Sequence, residues 1–298
     1  MKTYFDCIPC LVRQALDSAR LVTDDEALHE RLLREVLQTA SKMDLRQSPP
    51  AMSQRFHRLI RDLTGESDPY RQIKDWFNGF ALGIYPRLKV RVRCSVQPME
   101  TAVRLAIAGN VIDMGVHSYL NVSDVHDALE HALTSPLDGD VEGFSEVVSD
   151  AEHILYLADN AGEIVFDRLL IEQMQMKKVT VAVRGSPVVN DATIVDAQAA
   201  GLAERVEVIN NGSDAPGTLL HECSEAFLRR FNNADLIIAK GQGNYETLSE
   251  SEKDIFFALK AKCPLIARDL GCQVNSLVLR RSTHGMTVVK RVECFASK

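Results

Sequence analysis

The chain has 298 residues, a length typical of about two domains, and its 46% hydrophobic and 25% charged residues are ordinary for a globular protein. The net charge of −7 argues against general nucleic-acid binding, and no apolar run approaches the roughly 18 residues of a membrane span. The N-terminus lacks the apolar core of a signal peptide, and seven scattered cysteines do not form a secreted disulfide framework. We therefore expect a cytoplasmic protein that binds neither nucleic acid nor membrane.

The first half of the chain shows the pattern of successive amphipathic helices. Apolar residues recur at helical spacing from Cys10 onward. Pro49, Pro69 and Pro98 each stand where a proline fits the first turn of a new helix. Because no convincing strand alternation interrupts this pattern, the sequence predicts an all-α helical domain over residues 1–150.

The second half alternates short apolar strands with helical patterns. The predicted strands are Ile154–Leu157, Val179–Val183, Val206–Ile209, Leu236–Ala239 and Leu265–Ala267, with a closing hairpin of Ser276–Arg280 and Met286–Val292. The predicted helices are Ile164–Met176, Ala192–Ala200, Leu219–Phe231 and Glu246–Leu259. Such alternation indicates right-handed βαβ units in a mostly parallel sheet with both faces covered. The expected fold is α/β, with a Rossmann-like α/β/α domain over residues 151–298.

Two polar side chains, Asp159 and Asn160, directly follow the first predicted strand of this domain. Ligands of open α/β sheets bind outside the carboxyl ends of the strands. A carboxylate beside an amide offers two hard oxygen donors to a cation such as Mg²⁺ or Mn²⁺. The alternative interpretation is that one of these residues only caps the next helix.

Other charged residues follow the neighbouring strands. Arg184 ends the second strand, Asp191 precedes the next helix, and Lys240 leads into the glycine-rich turn Gly241–Gly243. If the strands are parallel, these side chains converge with the first turn at one edge of the sheet. Two carboxylates and an amide would hold a hard divalent cation, and the basic residues with the glycine N–H groups suit phosphate. No His or Cys lies in these loops, which argues against zinc. The glycine-rich segment alone is equally compatible with a simple tight turn.

Six motifs together resemble the DUF89, or ARMT1-like, family of damage-control phosphatases. They are Cys7–Cys10, Ala108–Asp113, Asp159–Glu163, Arg184–Pro187, Asn190–Thr193 and Lys240–Glu246. The early Cys-x-x-Cys is similar to the prokaryotic branch. The resemblance covers nearly the whole chain and implies a helical domain joined to an α/β/α domain. It also implies a metal-dependent phosphatase that acts on small phosphorylated metabolites.

The resemblance further implies a role for each matching position. Asp159, Asn160 and Asp191 would bind a divalent cation, such as Mg, Mn, Co or Ni. Lys240 would bind phosphate, and either aspartate would position the attacking water or act as base, with direct carboxylate attack left open. The positions expected to face the substrate are Asn110, Asp113, Glu163, Arg184, Gly241 and Gly243.

Two functions from other classes stay open at this point. An S-adenosylmethionine-dependent carboxyl methyltransferase, an activity also attributed to this family, would need a glycine-rich fingerprint where Asp159 and Asn160 stand. A non-catalytic sensor of metal and phosphometabolite is the other alternative.

Cys7 and Cys10 would need partners for a zinc site, such as Cys94, Cys263 or Cys272, and are otherwise a buried, reduced pair at a helix start.

Overall fold

The computed structural model describes residues 1–109 and 122–282. The chain begins with five helices, which are α1 (Cys7–Val22), α2 (Glu26–Ala40), α3 (Pro49–Thr64), α4 (Arg71–Arg93) and α5 (Pro98–Ala108). Pro49 and Pro98 occupy the first turns of their helices, where the missing N–H needs no partner. The exception is α4, which begins at Arg71 rather than at the expected Pro69. None of the helices in these two ranges is long and apolar enough to cross a membrane.

The remaining elements build a seven-stranded sheet with helices between its strands. In chain order they are α6 (Val122–Thr134), β1 (Leu137–Gly139), α7 (Val141–Asp150), β2 (Ile154–Leu157), α8 (Glu163–Ile171), β3 (Val179–Val183), α9 (Ile194–Ala199), β4 (Glu207–Asn210), α10 (Glu225–Asn233), β5 (Leu236–Lys240), α11 (Gly241–Leu248), β6 (Ile255–Lys260), α12 (Pro264–Leu270) and β7 (Leu277–Arg281). The α/β fold with a mostly parallel sheet is thereby confirmed.

The order of the strands identifies where a ligand should bind. The sheet runs β1-β7-β6-β5-β2-β3-β4, and its neighbours are parallel except for β6 and β7. From β2 the chain winds outward through β3 and β4, and it then returns to β5 on the other side of β2. Every residue of β2 and β5 is buried, as expected of strands covered on both faces. The carboxyl ends of β2 and β5 therefore form a topological switch point, the usual position of a ligand site.

Two predicted elements near the C-terminus are wrong. The expected helix Glu246–Leu259 is divided between α11 and strand β6, and the expected strand Leu265–Ala267 lies inside helix α12. A short apolar run does not distinguish a buried strand from a buried helix turn. The neglected signal was Pro264, which stands in the first turn of α12.

Strand β1 lies in the half that was expected to be entirely helical. Its three residues are too few to show alternation, and Leu137 pairs with Leu277 of β7. In addition, α4 and α5 share one hydrophobic cluster with the sheet. The division into 1–150 and 151–298 stays a prediction.

The strand expected at Ser276–Arg280 is confirmed as β7, whereas Met286–Val292 lies outside the described residues.

Helix α4 positions the turn that follows β2. Its buried Lys74 lies 3.1 Å from the carboxylate of Asp196, which also accepts a 2.9 Å hydrogen bond from Asn78. The side-chain oxygen of Asn78 then accepts the backbone N–H of Gly162 at 2.7 Å. Gly162 has φ of +74°, and a Cβ there would lie 2.8 Å from the Cβ of Phe77. A glycine is therefore required where the helical layer holds this turn.

Buried Glu246 of α11 makes the stability of the fold depend on pH. Burial raises the pKa of its carboxyl from 4.5 to about 7, against the opposing effects of Gln242 and the N-terminal amine. The folded chain thus binds this proton more tightly than the unfolded chain. The resulting stabilisation is complete below pH 4.5 and is lost as the pH rises to about 7.

Glu246→Gln should remove this loss because the amide keeps the shape without the charge. We expect the free energy of unfolding of this variant to increase relative to that of the parent between pH 5 and 8, by up to about 3 kcal/mol. Denaturant unfolding at several pH values measures the difference. The same change at exposed Glu252 serves as the control, and parallel pH profiles for parent and Glu246→Gln would contradict the prediction.

Candidate active site

The three predicted metal ligands lie together at the switch point. Asp159 and Asn160 follow β2, and Asp191 precedes α9. Backbone hydrogen bonds of 2.7 and 2.9 Å join the two turns, and Asn160 forms an isolated antiparallel bridge with Asp191. Their exposed fractions are only 7%, 6% and 4%, respectively. The convergence expected from parallel strands is therefore present in the structure.

The amide of Asn160 has a defined orientation. Its Nδ2 donates to Asp159 Oδ2 at 2.9 Å and to Glu163 Oε2 at 3.0 Å. Because both N–H groups are used, the Oδ1 atom points away from both carboxylates. Burial, and then the charges of Glu163 and Asp191, raise the pKa of Asp159 well above its ordinary value. Ionisation of Asp159 in this turn is therefore unfavourable unless a further positive charge lies beside it.

Arg184, at the carboxyl end of β3, partly balances the charge of these carboxylates. Its Nε donates to Asp191 Oδ2 at 2.6 Å, and its Nη1 donates to Asn244 Oδ1 at 3.2 Å. Its Nη2 lies 3.6 Å from Asp159 Oδ1 and has no hydrogen-bond partner in the part of the chain that the structure describes. An unpartnered buried guanidinium nitrogen is costly unless a further acceptor arrives. Arg184 therefore has the donor that an anionic ligand needs.

Lys240 lies elsewhere than the sequence suggested. We expected its ammonium at the open edge of the sheet, but its side chain is fully buried. Its Nζ donates to Glu163 Oε1 at 2.7 Å, to Asp167 Oδ1 at 2.5 Å and to the carbonyl of Ala106 at 2.8 Å. These three acceptors use all the N–H groups of an ammonium. Lys240 therefore serves as an internal counter-charge. Its N–H groups bind protein oxygens and are not directed at a ligand.

Asp167 is a site residue that sequence reasoning missed. It accepts a 2.8 Å hydrogen bond from the hydroxyl of Tyr156, and it is fully buried beside Lys240. Burial raises the pKa of its carboxyl to about 6, although Lys240 opposes this rise. The available signal was its spacing of four residues from Glu163, which places two acids on the same face of helix α8.

The two predicted glycines have different roles. A Cβ on Gly241, whose φ is +77°, would lie 1.8 Å from Asp159 Oδ2. Gly241 thus lets the Asp159 carboxylate rest on the first turn of α11, where the helix dipole favours negative charge. Gly243 instead packs against the backbone of Pro216, since a Cβ there would lie 2.2 Å from its carbonyl oxygen. The expectation that Gly243 faces the substrate is not supported by this contact.

Lys262 is a second residue that the sequence analysis missed. It follows β6, its backbone N–H donates to the side chain of Gln242 at 3.3 Å, and it is half-buried. Its charge opposes the rise in the pKa of Asp159. It was overlooked because β6 had been interpreted as a helix.

Asn110 and Asp113, which were expected to face the substrate, lie outside the described residues.

The cysteines in the described part of the chain do not add a metal site. Cys7 is half-buried and Cys10 is exposed, so the expectation of a buried pair is wrong for Cys10. Within residues 1–109 and 122–282, no group of three or more His, Cys, Asp or Glu side chains is arranged to hold a metal ion. The proposed oxygen-donor set differs from such a group because its third member is the amide of Asn160.

A groove of about 820 Å³ lies at the opposite, amino-terminal edge of the sheet. It is lined by residues of both charges, including Glu152, Lys178, Arg205 and Asp235. None of the described residues predicted to bind metal or substrate lines it. The chemistry of the switch point, rather than the size of this groove, identifies the candidate site.

The fold and the site define an α/β protein with a buried cluster of acidic, amide and basic side chains at its switch point. The family profile described as the damage-control phosphatase ARMT1-like domain matches residues 3–278. The chain belongs to this family, as its motifs suggested, and thus to a family of phosphatases.

Individual relatives agree with this assignment. A damage-control phosphatase of Archaeoglobus fulgidus is 37% identical over 281 residues, which cover 92% of this chain and 97% of that protein. A damage-control phosphatase of Pyrococcus horikoshii is 37% identical over 95% of this chain and 99% of its own length. The crystal structure of a DUF89 family protein of Pyrococcus horikoshii superimposes with a TM-score of 0.87 at 35% sequence identity, and it covers 95% of this chain and 99% of that chain.

Lys240→Met tests the internal position of the ammonium. A lysine at the open edge of the sheet would be dispensable for stability, whereas its removal here leaves Glu163 and Asp167 buried without their counter-charge. We expect the free energy of unfolding to fall by about 3–5 kcal/mol, as when one partner of a buried ion pair is lost. Denaturant titration measures it, with Lys262→Met at the half-exposed rim as the control. Equal stability of Lys240→Met and parent would contradict the buried arrangement.

Proposed function

We propose that the protein is a metal-dependent phosphatase that hydrolyses phosphate monoesters of small metabolites. The proposal depends chiefly on the buried charge at the switch point. Among the described residues of the switch point, four buried carboxylates, those of Asp159, Glu163, Asp167 and Asp191, stand against two buried cations, Arg184 and Lys240. A divalent cation would balance this excess, and family membership in a group of phosphatases gives the reaction class.

The available donors fit such a cation. Asp159, Asn160 and Asp191 offer carboxylate and amide oxygens, which suit Mg²⁺, Mn²⁺, Co²⁺ or Ni²⁺ better than sulfur-preferring metals. When bound, the cation would neutralise charge on the phosphoryl oxygens and lower the pKa of a water molecule. The raised pKa of Asp159 supports the fit, because this buried carboxyl is costly to ionise and a bound cation would stabilise its charged form.

The protein's own groups have separate tasks in this proposal. Arg184 Nη2 donates to a phosphoryl oxygen, since it has no other acceptor among the described residues. Lys262, at the rim, attracts the anionic substrate. Asp159 is the better candidate for proton transfer to or from the attacking water, because Arg184 holds Asp191 in a 2.6 Å charge-assisted hydrogen bond.

The alternatives have less support. A methyltransferase would need a glycine-rich turn after the first central strand, but β2 is followed by Asp-Asn-Ala-Gly-Glu. No observation on the described residues favours it. A sensor would share the same binding site, so only turnover separates it from an enzyme.

Turnover with Asp191→Asn tests the function. Phosphate release from a panel of sugar phosphates and phosphopantetheine should require Mg²⁺, Mn²⁺, Co²⁺ or Ni²⁺ and should stop with a chelator. The variant should lose this activity while remaining folded, because it removes a ligand charge from a loop. Asp254→Asn, the same change in an ion pair with Arg281 away from the switch point, is the matched control. Full turnover in the presence of chelator would overturn metal dependence, and metal binding without any turnover would favour the sensor.

The pH dependence of Mn²⁺ binding is a second expected outcome. Because the pKa of Asp159 is raised, the metal-free protein retains a proton that the cation must displace. The affinity for Mn²⁺ should therefore increase as the pH rises from the ordinary carboxyl range toward that raised value, and then level off. Calorimetry in buffers of different ionisation enthalpy should detect the released proton. Binding that is independent of pH and releases no proton would argue against Asp159 as a ligand.

A further inference from the structure

We infer that Glu163 and Lys240 are positioning residues that determine which end of the Asn160 amide meets the cation. The inference rests on the proposed metal-dependent function and assigns these two residues a task other than substrate contact. It comes from a continuous hydrogen-bond chain that runs from the core of the sheet to the turn after β2. We call Tyr156, Asp167, Lys240 and Glu163 the internal network.

Glu163 connects this network to the turn because its two oxygens face in different directions. Oε1 accepts from Lys240 Nζ at 2.7 Å, and Oε2 accepts from Asn160 Nδ2 at 3.0 Å. An ionised carboxylate only accepts hydrogen bonds, so the nitrogen end of the Asn160 amide must face it. The flipped amide would place Oδ1 against Glu163 Oε2, which offers it no hydrogen-bond donor. The network therefore selects the orientation in which Oδ1 is available to a cation.

The internal network also prevents Glu163 from turning away. Lys240 is held by Asp167 at 2.5 Å and by the carbonyl of Ala106 at 2.8 Å, and Tyr156 holds Asp167 at 2.8 Å. The side chains of Lys240 and Asp167 are 0% exposed, and that of Glu163 is 1% exposed. These residues stand on β2, β5 and α8, three packed elements. Rigid outer partners of this kind orient metal ligands before the metal binds.

Glu163→Gln changes the polarity of this contact with little change in shape. The introduced amide can still accept from Lys240 through its oxygen, but it then presents N–H groups to Asn160. The Asn160 amide should turn to accept one of them, and its nitrogen would then face the cation. We expect Mn²⁺ affinity, measured by calorimetry without substrate, to fall about 10- to 100-fold, the usual effect of losing an outer-shell partner.

A second substitution in the same background should restore binding. With Asn160→Asp added to Glu163→Gln, residue 160 has an oxygen on each side. One oxygen accepts from the introduced amide and the other meets the cation, so Mn²⁺ affinity should return to within about tenfold of the parent. A residue that served only the packing of the core would not be rescued in this way. Glu172→Gln, at the other end of α8, is the matched control and should leave the affinity unchanged.

The outcomes separate the inference from the proposed function. Equal Mn²⁺ affinity of parent and Glu163→Gln would overturn the positioning role, as would a loss that Asn160→Asp does not rescue. A parent protein that binds no divalent cation would overturn the proposed function itself. Side-chain amide NMR of the metal-free parent gives a test that needs no variant. Both Nδ2 protons of Asn160 should exchange slowly with solvent, and rapid exchange would overturn the inferred orientation.

Discussion

The site depends on one buried ammonium group. Lys240 ends β5 directly beside β2, and its three N–H groups neutralise and orient Glu163 and Asp167 while also binding the carbonyl of Ala106. Without this charge, the two buried carboxylates on one face of α8 would lose their shared counter-charge, which is strongly unfavourable. With it, α8 can begin within the switch point and present Glu163 to the turn that carries the candidate ligands. The ion pairs are therefore both a condition of the local fold and a support of the site.

The helical layer belongs to the same arrangement. Asn78 of α4 holds the N–H of Gly162, and α5 supplies the carbonyl of Ala106 that Lys240 binds. The first contact reaches the segment between β2 and α8, and the second reaches Lys240 on β5, which in turn binds Glu163. A change in the packing of α4 or α5 would therefore be transmitted to Asn160 and Glu163. This explains why the hydrophobic core is continuous from α4 and α5 into the sheet, because a loose interface would not hold donor atoms in place.

Much of this architecture could be predicted from the sequence. Strands β2, β3 and β5 are short apolar runs bounded by polar turns, and parallel pairing alone places Asp159, Asn160 and Asp191 at one edge. The direction of the Lys240 side chain could not be predicted in the same way. It depends on which residue lies opposite the strand end, and that is decided by the packing of α8 and α5. The four-residue spacing of Glu163 and Asp167 indicated that two acids on one helix face need a counter-charge, but it did not identify Lys240 as its source. Lys262 was missed for a simpler reason, since an apolar strand was mistaken for the end of a helix.

The different chemistry of the two buried cations explains how they divide the work. An ammonium is a compact charge with three donors, and Lys240 uses all of them inside the protein. A guanidinium has five donors in a planar fork. Arg184 can therefore hold Asp191 and Asn244 and still have Nη2 without a hydrogen-bond partner among the described residues. An arginine in place of Lys240 would bring five donors to three acceptors and would leave surplus donors in the core. The geometry thus gives Lys240 a structural task in place of the phosphate contact predicted from its position, and it leaves Arg184 with a donor for the anion recognition proposed above.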